Sequence, residues 1–230
     1  SDGLVHYPFG DPKLPDQGNP QCLCVDRSGR LWVGTNGKGV YLYNRENDKF
    51  TQYLGDNSGE TLFGENIYKM CDYGDELVIG IHEGKLRKLN KRKNILTDVN
   101  APEVHYKIIR DVACFDDELW VGTQSGVYVI NELKNKISHI YNDPMCSYSL
   151  SDNQIGRIYR DRENGIWIGT NLGGVNYCPQ RGIEFTRHIP LSRPYTISSK
   201  RVRELVEDEE GNIWVGTEDA GINIYDPHTG

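Results

Sequence analysis

Residues 211–225 read GNIWVGTEDAGINIY, in which an apolar run around a tryptophan ends in Gly-Thr and resumes after a short polar break. Related stretches occur earlier in the chain: GRLWVGTNGKGVYLY at 29–43, ELVIGIHEGKLRKL at 76–89, ELWVGTQSGVYVI at 118–130 and GIWIGTNLGGVNY at 165–177. Their central positions lie 42 to 47 residues apart and are Trp32, Val78, Trp120, Trp167 and Trp214. A period in this range is typical of repeat architectures.

Each repeat divides into four short segments. The first carries two apolar residues three positions apart, the second the tryptophan, the third an alternating apolar run, and the fourth polar and aromatic residues. Short segments separated by Gly, Asp and Asn turns predict antiparallel strands, and four such strands form a blade of a β-propeller. The predicted fold is therefore all-β, a β-propeller of five four-stranded antiparallel blades. The blades cover approximately residues 17–54, 65–99, 106–141, 153–189 and 200–230 of a single propeller region, 1–230.

The ends of the chain leave the closure of the ring open. Residues 4–7 align with the outer strand of the first repeat and have no blade of their own before them. The five repeats are either consecutive blades of a larger ring or a five-bladed ring that this N-terminal strand closes, which would remove an exposed sheet edge. Because the chain lacks an initiator Met and starts within a repeat, we expect it to be part of a longer protein.

The repeated residues are expected to be structural. A single blade cannot bury both of its faces, so the tryptophans are expected to pack between neighbouring blades rather than to bind a ligand. These are Trp32, Trp120, Trp167 and Trp214. The glycine two positions later permits close approach of the sheets, and the threonine suits a strand end. The turns that begin at Asp26, Asp161 and Asp208 lack the alternating carboxylates of a calcium loop, which favours simple backbone turns.

Charge and composition exclude several classes of partner. The chain of 230 residues has a formal net charge of −7, and its Lys and Arg residues are scattered. Nucleic-acid binding needs clustered basic residues, so no nucleic acid is expected, and no direct membrane contact is expected either. No run approaches the roughly 18 apolar residues of a membrane span, and no signal-peptide pattern precedes the first repeat.

The cysteines and histidines predict neither a metal site nor a cofactor. No pair shows a zinc spacing such as Cys-x-x-Cys, and we expect no metal and no cofactor. Four of the six cysteines fall on predicted first strands and are expected to be mostly reduced and structural. His6, His139 and His188 fall on outer strands and are expected to face solvent, whereas His82 is placed to meet a ligand.

One family shares this pattern. Residues 149–177 read SLSDNQIGRIYRDRENGIWIGTNLGGVNY, and residues 197–225 repeat the order of apolar pair, Asp turn and Trp-x-Gly-Thr core. The pattern resembles the two-component regulator propeller repeat found in the periplasmic sensor region of Bacteroidetes-type hybrid two-component system histidine kinases. Repeats one and three match through the Trp-x-Gly-Thr core, whereas repeat two departs from it with Val78 in place of Trp and Ile81 in place of Thr.

The resemblance, which covers essentially the whole chain, implies a sensor. The chain would be the periplasmic, ligand-sensing propeller portion of a hybrid two-component sensor that recognises an oligosaccharide or relays its recognition. Family members carry two seven-bladed propellers and a β-sandwich domain, then a transmembrane helix, a histidine kinase, a receiver and a DNA-binding module. The implied partners are an oligosaccharide, the adjacent propeller and β-sandwich domains of the same protein, and a second copy in a homodimer. The relatives favour five consecutive blades of a seven-bladed ring.

No enzyme activity is expected of this chain itself. It has no helical segment with a phosphoacceptor His and no Gly-rich nucleotide loop, so the kinase of the full-length sensor would lie outside it. A propeller glycoside hydrolase or lyase remains an alternative, and it would need two carboxylates about 5–10 Å apart. The acidic residues near the loops are Glu65, Glu83, Asp152, Glu218 and Asp219, and none starts an inner strand. A protein-binding scaffold propeller is the other alternative, because fold does not fix function.

The candidate ligand face is built by two groups of loops. Loops that join second to third strands, and loops that join one blade to the next, carry amide, charged and aromatic side chains that suit a sugar. The first group supplies Asn36, Lys38, His82, Glu83, Gln124, Asn171, Glu218 and Asp219. The second group supplies Asn153, Arg193, Tyr195 and Arg201.

Overall fold

The computed structural model describes residues 18–53, 61–179, 186–191 and 196–227. The chain divides into two compact units, residues 1–100 and 101–230. In every sheet, consecutive strands are antiparallel neighbours, so that each sheet is a simple meander. We number the sheets as blades 1 to 5 along the chain.

The first unit contains blades 1 and 2. Blade 1 consists of β1 (Pro20–Val25), β2 (Leu31–Thr35), β3 (Val40–Asn44) and β4 (Lys49–Tyr53). Blade 2 consists of β5 (Ile67–Tyr73), β6 (Glu76–Ile81), β7 (Leu86–Asn90) and β8 (Ile95–Asp98). A 3₁₀ turn at His82–Gly84 joins β6 to β7.

The second unit contains blades 3 to 5, which follow a 3₁₀ turn at Pro102–Val104. Blade 3 consists of β9 (Ile109–Phe115), β10 (Glu118–Thr123), β11 (Gly126–Asn131) and β12 (Lys136–Ile140). Blade 4 consists of β13 (Ile155–Arg160), β14 (Ile166–Thr170), β15 (Val175–Cys178) and β16 (Thr186–His188). Blade 5 consists of β17 (Val202–Glu207), β18 (Ile213–Thr217) and β19 (Ile222–Tyr225).

The predicted fold class is confirmed. The regular structure of the described residues is β-sheet apart from the two 3₁₀ turns, and the sheets are antiparallel propeller blades. Blades 1 to 4 have four strands each, and blade 5 has three within the described part of the chain. The predicted outer strand at 4–7 lies outside the described residues, so the choice between a closed ring and part of a seven-bladed ring stays a prediction.

The tryptophans of blades 1 and 4 lie in apolar layers between successive blades. Trp32 is 3% exposed and shares a core with Ile67 of blade 2. Trp167 is 1% exposed and shares a core with Val202 and Leu205 of blade 5. The apolar residues on the first strand of one blade therefore cover the tryptophan of the blade before it.

The glycine of the Trp-x-Gly-Thr core lies where the next blade comes closest. A Cβ atom at Gly34, Gly122 or Gly169 would lie 2.6 Å from a methyl carbon on the first strand of the next blade. The methyl groups belong to Ile67, Ile155 and Val202. Because 2.6 Å is far inside the van der Waals distance of about 3.5–4.0 Å, glycine alone fits without movement of the neighbour.

Replacing Gly169 by alanine is expected to lower the free energy of unfolding by about 2 kcal/mol, because the new methyl group overpacks the layer between blades 4 and 5. Gly216 is the matched control in blade 5, where a Cβ would meet its nearest atom at 3.7 Å. Gly216→Ala should change stability by less than about 0.5 kcal/mol. Urea unfolding followed by circular dichroism measures both, and equal losses for the two variants would contradict the close approach.

Asp161 joins a turn to the packed tryptophan of blade 4. Its Oδ1 accepts a hydrogen bond from the Gly165 amide at 2.7 Å, and its Oδ2 accepts one from the Trp167 indole Nε1–H at 2.7 Å. The sequence predicted only the turn. The carboxylate also satisfies a buried indole donor, so one side chain fixes both the hairpin and the orientation of the ring.

The same bond recurs in blades 1 and 5. The indole nitrogens of Trp32 and Trp214 donate to Oδ2 of Asp26 and Asp208 at 3.0 and 2.7 Å. Burial alone would raise the pKa of Asp26, but hydrogen bonds from Trp32 and the turn hold this pKa below its usual value. Hydrogen bonds from Trp214 and Asn212 lower the pKa of Asp208 to about 2. Both acceptors are therefore charged near neutral pH, which strengthens the bonds.

Trp214 departs from the expected packing between blades. It is 38% exposed, whereas Trp167 at the same position of blade 4 is 1% exposed. Ile224, its cross-strand partner, and Ile222 share the face and are also exposed. Val175, which occupies the equivalent position to Ile222 in blade 4, is 1% exposed. Blade 5 thus presents an apolar face of the kind that is covered in blade 4.

His188 also departs from the sequence expectation, which placed it on a solvent-facing strand. Its ring centroid lies 4.9 Å from that of Tyr225 and 6.1 Å from that of Trp167. Burial lowers the pKa of His188. The expectation is wrong because the end of β19 packs against this side of blade 4, so the outer strand there faces a neighbouring blade rather than water.

Candidate functional site

Threonine hydroxyls hold the loops between second and third strands. In blade 4, Thr170 Oγ1 donates to the Gly174 carbonyl at 2.9 Å and accepts from the Gly173 amide at 3.0 Å. Thr35, Thr123 and Thr217 donate in the same way to Gly39, Gly126 and Gly221. The sequence predicted a strand end, but the hydroxyl also closes the loop from inside. These bonds hold the backbone of the loop in place.

Backbone hydrogen bonds join the two predicted groups of loops. The Asn171 amide donates to the Gln154 carbonyl at 2.8 Å, and the Glu218 amide donates to the Arg201 carbonyl at 3.0 Å. The Asn36 amide makes the equivalent bond to Asn19 at 3.0 Å. Within a blade, therefore, the hairpin loop lies beside the segment that enters the first strand.

Blade 2 differs because Ile81 stands where the other blades have threonine. The residues that follow form the 3₁₀ turn His82–Gly84 instead of a threonine-held loop. The His82 ring stacks on Tyr68, with centroids 5.6 Å apart and planes at 24°. The side chain of Glu83 lies outside the described part of the structure, as do Arg193 and Tyr195.

Two predicted ligand residues support their own loops in this structure. Gln124 Oε1 accepts the Ile108 amide at 2.7 Å. Asn153 Oδ1 accepts the Asn142 amide at 2.7 Å, and its carbonyl accepts the Gly126 amide at 2.8 Å. Both side chains satisfy backbone donors near the entry to a blade. They position the face rather than offer these atoms to a ligand.

Lys38 belongs to the first unit and lies in the loop between β2 and β3. Its Nζ lies 5.5 Å from the centroid of the Phe63 ring, within the range of a cation–π contact. Its carbonyl accepts a hydrogen bond from Gln52 Nε2 at 2.8 Å. This part of the face therefore combines an ammonium group with an exposed aromatic ring.

Arg201 and Glu218 meet in a larger cluster at blades 4 and 5. Arg203 Nη2 donates to Glu218 Oε2 at 2.6 Å, and Arg201 Nη1 lies 3.9 Å from the same oxygen. Nearby on the first strands, Arg157 Nε donates to both carboxylate oxygens of Glu204, at 3.1 and 3.2 Å. We call these five residues the arginine cluster. Asp219 is exposed and follows Glu218 in the same loop.

Sequence reasoning missed Arg157, Arg203 and Glu204. The first strands were read only for their apolar pair, and the residues between the pair were not considered. The pairing register shifts within the first three residues of β13, where it pairs with β14, and of β17, where it pairs with β18. This bulge bends the strand and turns nearby side chains. Charged residues inside an apolar first strand were the available signal.

The side chains of the arginine cluster are accessible. Their relative exposures range from 30% for Arg157 to 57% for Arg203. A planar guanidinium donates hydrogen bonds in pairs to carboxylate or hydroxyl oxygens, and a carboxylate accepts hydrogen bonds from hydroxyl groups. The cluster can therefore exchange its internal ion pairs for hydrogen bonds to a polar ligand.

Acidic residues also occur within two first strands, although neither strand begins with one. Asp111 is the third residue of β9, is 2% exposed, and accepts the Ile158 amide of blade 4 at 2.7 Å. Glu204 is the third residue of β17 and pairs with Arg157. The two carboxylates thus have structural partners, and Asp111 links blade 3 to blade 4.

The described residues hold no group of three His, Cys, Asp or Glu side chains arranged to bind a metal ion. Within the same part of the chain, no helix is long and apolar enough to cross a membrane.

Solved structures that share this fold include two bacterial extracellular domains. The extracellular domain assigned to hybrid two component system BT3049 of B. thetaiotaomicron matches with a TM-score of 0.72 and 21% identity, covering 96% of this chain and 28% of that one. The extracellular domain assigned to one component system BT4673 of the same organism matches with a TM-score of 0.56 and 20% identity, covering 94% and 35%. At these identities the likeness establishes the fold.

Sequence comparisons identify the repeats. Histidine kinase P4 of Formosa agariphila is 24% identical over 159 residues, which make up 66% of this chain and 12% of that protein. The chain therefore spans a small part of this relative. The family model described as "Two component regulator propeller" matches residues 13–37, 149–172 and 196–219, which lead into the tryptophan strands of blades 1, 4 and 5. The chain is thus a β-propeller in which three blades match the two component regulator propeller repeat.

Proposed function

We propose that this chain is the ligand-sensing propeller portion of the extracytoplasmic region of a hybrid two-component sensor. The matched repeats and the likeness to two extracellular domains of B. thetaiotaomicron regulators support this assignment. The kinase of such a sensor would reside in other parts of the protein. This chain would contribute recognition and pass it on as a rearrangement of domains, without catalysis of its own.

The cysteines support a periplasmic location. Cys71 and Cys114 are disulfide-bonded, whereas Cys22, Cys24, Cys146 and Cys178 are thiols. Disulfides persist mainly in oxidising compartments such as the periplasm. The expectation that most cysteines are reduced agrees with the four thiols, and the disulfide state of Cys71 and of Cys114 supports the oxidising compartment.

The proposed ligand is an oligosaccharide, and the arginine cluster is the observation that carries this proposal. The cluster lies beside a threonine-held loop and places three guanidinium and two carboxylate groups near one another. Sugars offer pairs of adjacent hydroxyl groups, which such planar groups bind with two hydrogen bonds. A ligand that bridges Arg157 and Arg203 would touch blades 4 and 5 together, which gives binding a route to the packing of the propeller.

Isothermal calorimetry with a panel of neutral and acidic oligosaccharides tests this assignment. Arg203→Ala should weaken the binding of a hit about tenfold, as expected for loss of a charge-assisted hydrogen bond. Arg92→Ala is the matched control, since Arg92 is 80% exposed and pairs with Asp75 at 3.1 Å in the first unit. Binding of a protein partner but of no oligosaccharide would refute the ligand class and favour a scaffold.

The apolar face of blade 5 supports the proposed partners within the same protein. Val206, Trp214, Ile222 and Ile224 are exposed there. Because the equivalent face of blade 4 is covered by blade 5, we propose that a further blade of the full-length protein covers this face. The adjacent propeller and β-sandwich domains, and the homodimer of the full-length sensor, are proposed from the family resemblance alone.

A further inference from the structure

Ion pairs join the turn of one blade to the first strand of the next. Arg27 follows the turn aspartate of blade 1, and its amide and its Nε lie 3.3 and 3.4 Å from Asp72 Oδ2 of blade 2. Arg162 follows the turn aspartate of blade 4. Its amide donates to Glu207 Oε2 of blade 5 at 3.2 Å, and its Nε lies 3.7 Å from Oε1. In both pairs a basic turn meets an acidic first strand.

Between blades 3 and 4 the two charges are exchanged. The turn of blade 3 is short, with only Asp116 and Asp117 between β9 and β10, whereas residues 161–165 separate β13 from β14. Arg160 Nη1, at the end of β13, donates to Asp116 Oδ2 at 2.7 Å. Here the turn is acidic and the first strand is basic, so opposite charges meet in either arrangement.

The first-strand partners occupy one position of their strands, which we call the charged position. Asp72, Arg160 and Glu207 are each the sixth residue of a first strand. Each lies opposite the residue that precedes the central Val or Trp of the second strand. The first and fourth residues of the same strands are buried and apolar. A covering strand therefore carries an apolar pair and then a charge opposite to that of the preceding turn.

The charged position is the less exposed side of each pair. Its side chains are 5–27% exposed, whereas their partners in the turns are 58–83% exposed. Exposed ion pairs add little to stability, but a like charge placed against a partly buried one is costly. These pairs therefore act mainly on which strand can lie against which turn.

Blade 5 carries two negative charges at the corresponding place. Glu209 follows the turn aspartate Asp208, as Arg27 and Arg162 follow theirs, and Glu210 comes next. Both glutamates are exposed. The face that adjoins this turn is the exposed apolar face formed by Val206, Trp214, Ile222 and Ile224. Blade 5 thus presents an apolar face with an acidic turn at one end.

We propose that the strand covering the apolar face of blade 5 belongs to a further blade and carries Lys or Arg at its charged position, where this residue pairs with Glu209. The inference rests on the proposed covering of this face and specifies its chemistry. The apolar pair of the strand would pack on Trp214, as Val202 and Leu205 pack on Trp167.

A second copy of this chain would fit the face less well. A copy stacked head to tail would bring its β1 to the face, and the sixth residue of β1 is Val25. Leu23 of that strand would supply an apolar contact, but the valine would give Glu209 no counter-charge. The acidic turn therefore favours a further blade over a second copy.

Charge reversal at Glu209 tests the pairing. Glu209→Lys is made in this chain and in the whole extracytoplasmic region, and hydrogen exchange of residues 213–225 is followed by mass spectrometry. In the whole region the variant should accelerate exchange about tenfold, because two cations would meet at a partly buried position. In this chain alone it should leave exchange unchanged. Reversing the basic residue of the covering strand to Glu in the same variant should restore slow exchange.

Two further variants calibrate the measurement. Arg162→Glu places a carboxylate against Glu207, which is 5% exposed, and should accelerate exchange of the same segment in this chain and in the whole region alike. Glu163→Lys makes the same charge change as Glu209→Lys in a turn whose blade is already covered. It should leave exchange unchanged in both proteins.

Each contrary outcome overturns a different part of the proposal. If unsubstituted residues 213–225 exchange equally fast in this chain and in the whole region, no further blade covers the face. If exchange is slower in the whole region but Glu209→Lys has no effect there, the face is covered without the charge pairing. Concentration-dependent dimers of this chain that Trp214→Ala abolishes would assign the face to a second copy. None of these outcomes bears on sugar binding, which calorimetry measures separately.

Discussion

Trp167→Ala is expected to lower the free energy of unfolding by about 3–5 kcal/mol, the usual loss for a large aromatic side chain removed from a core. Trp167 is 1% exposed and lies between blades 4 and 5, with its ring 4.4 Å from Tyr177 and 5.2 Å from Tyr225 by centroid distance. The truncation leaves a cavity that the facing sheets cannot close, because their backbones are fixed by hydrogen bonds.

Trp214→Ala is the matched control, since it removes the same side chain from the same position of blade 5. Trp214 is 38% exposed, so the expected loss is smaller, about 1–2 kcal/mol. Both variants are measured by urea unfolding with far-ultraviolet circular dichroism, which does not depend on tryptophan fluorescence. An equal loss in the free energy of unfolding for Trp214→Ala and Trp167→Ala would show that burial does not determine how much the tryptophan stabilises the fold.

Asp161→Ala is expected to lower the free energy of unfolding by about 3 kcal/mol. The substitution removes the acceptor of the Trp167 indole and of the Gly165 amide. Both hydrogen bonds are buried, and leaving a buried donor unsatisfied costs about 1–3 kcal/mol. Thermal and urea unfolding of the variant measure the loss.

A second substitution at Asp161 distinguishes the effect of the negative charge from the effect of a hydrogen-bond acceptor. Asp161→Asn keeps one carbonyl oxygen and should recover part of the loss. Asp208→Ala removes the equivalent carboxylate of blade 5, where the bond to Trp214 is exposed to water, and it should be much less harmful. A similar loss in Asp161→Ala and Asp208→Ala would show that the turn, rather than the buried indole, requires the carboxylate.

The blades could be predicted from sequence because their signals are local and repeated. The Trp-x-Gly-Thr core marks the second strand, and the close approach at Gly34 and Gly169 follows from the absence of a side chain. The link from Asp to Trp was missed, although three repeats place an aspartate six residues before the tryptophan. Blade 3 lacks both the aspartate and the long turn. Because the two features occur together or not at all in the tryptophan-bearing blades, the sequence could have indicated that the aspartate of the turn bonds to the tryptophan.

The candidate ligand face was harder to predict. Loop position alone does not show whether a polar side chain faces water or satisfies its own backbone, and Gln124 and Asn153 do the latter. Backbone donors in short connections need acceptors, and nearby amide side chains supply them. Burial by a neighbouring blade is likewise a long-range property, so the exposure of Trp214 and the packing of His188 could not follow from strand pattern.

The threonine bonds separate the shape of a loop from its surface chemistry. Since Thr170 holds Gly173 and Gly174 through its hydroxyl, the outward side chains at 171–172 carry no part of the fold. The same holds for Asn36 beside Thr35 and Asp219 beside Thr217. Substitutions there can accumulate at little thermodynamic cost. Such a propeller can diverge in what it recognises while its architecture stays constant, which suits a scaffold that evolves by point mutation.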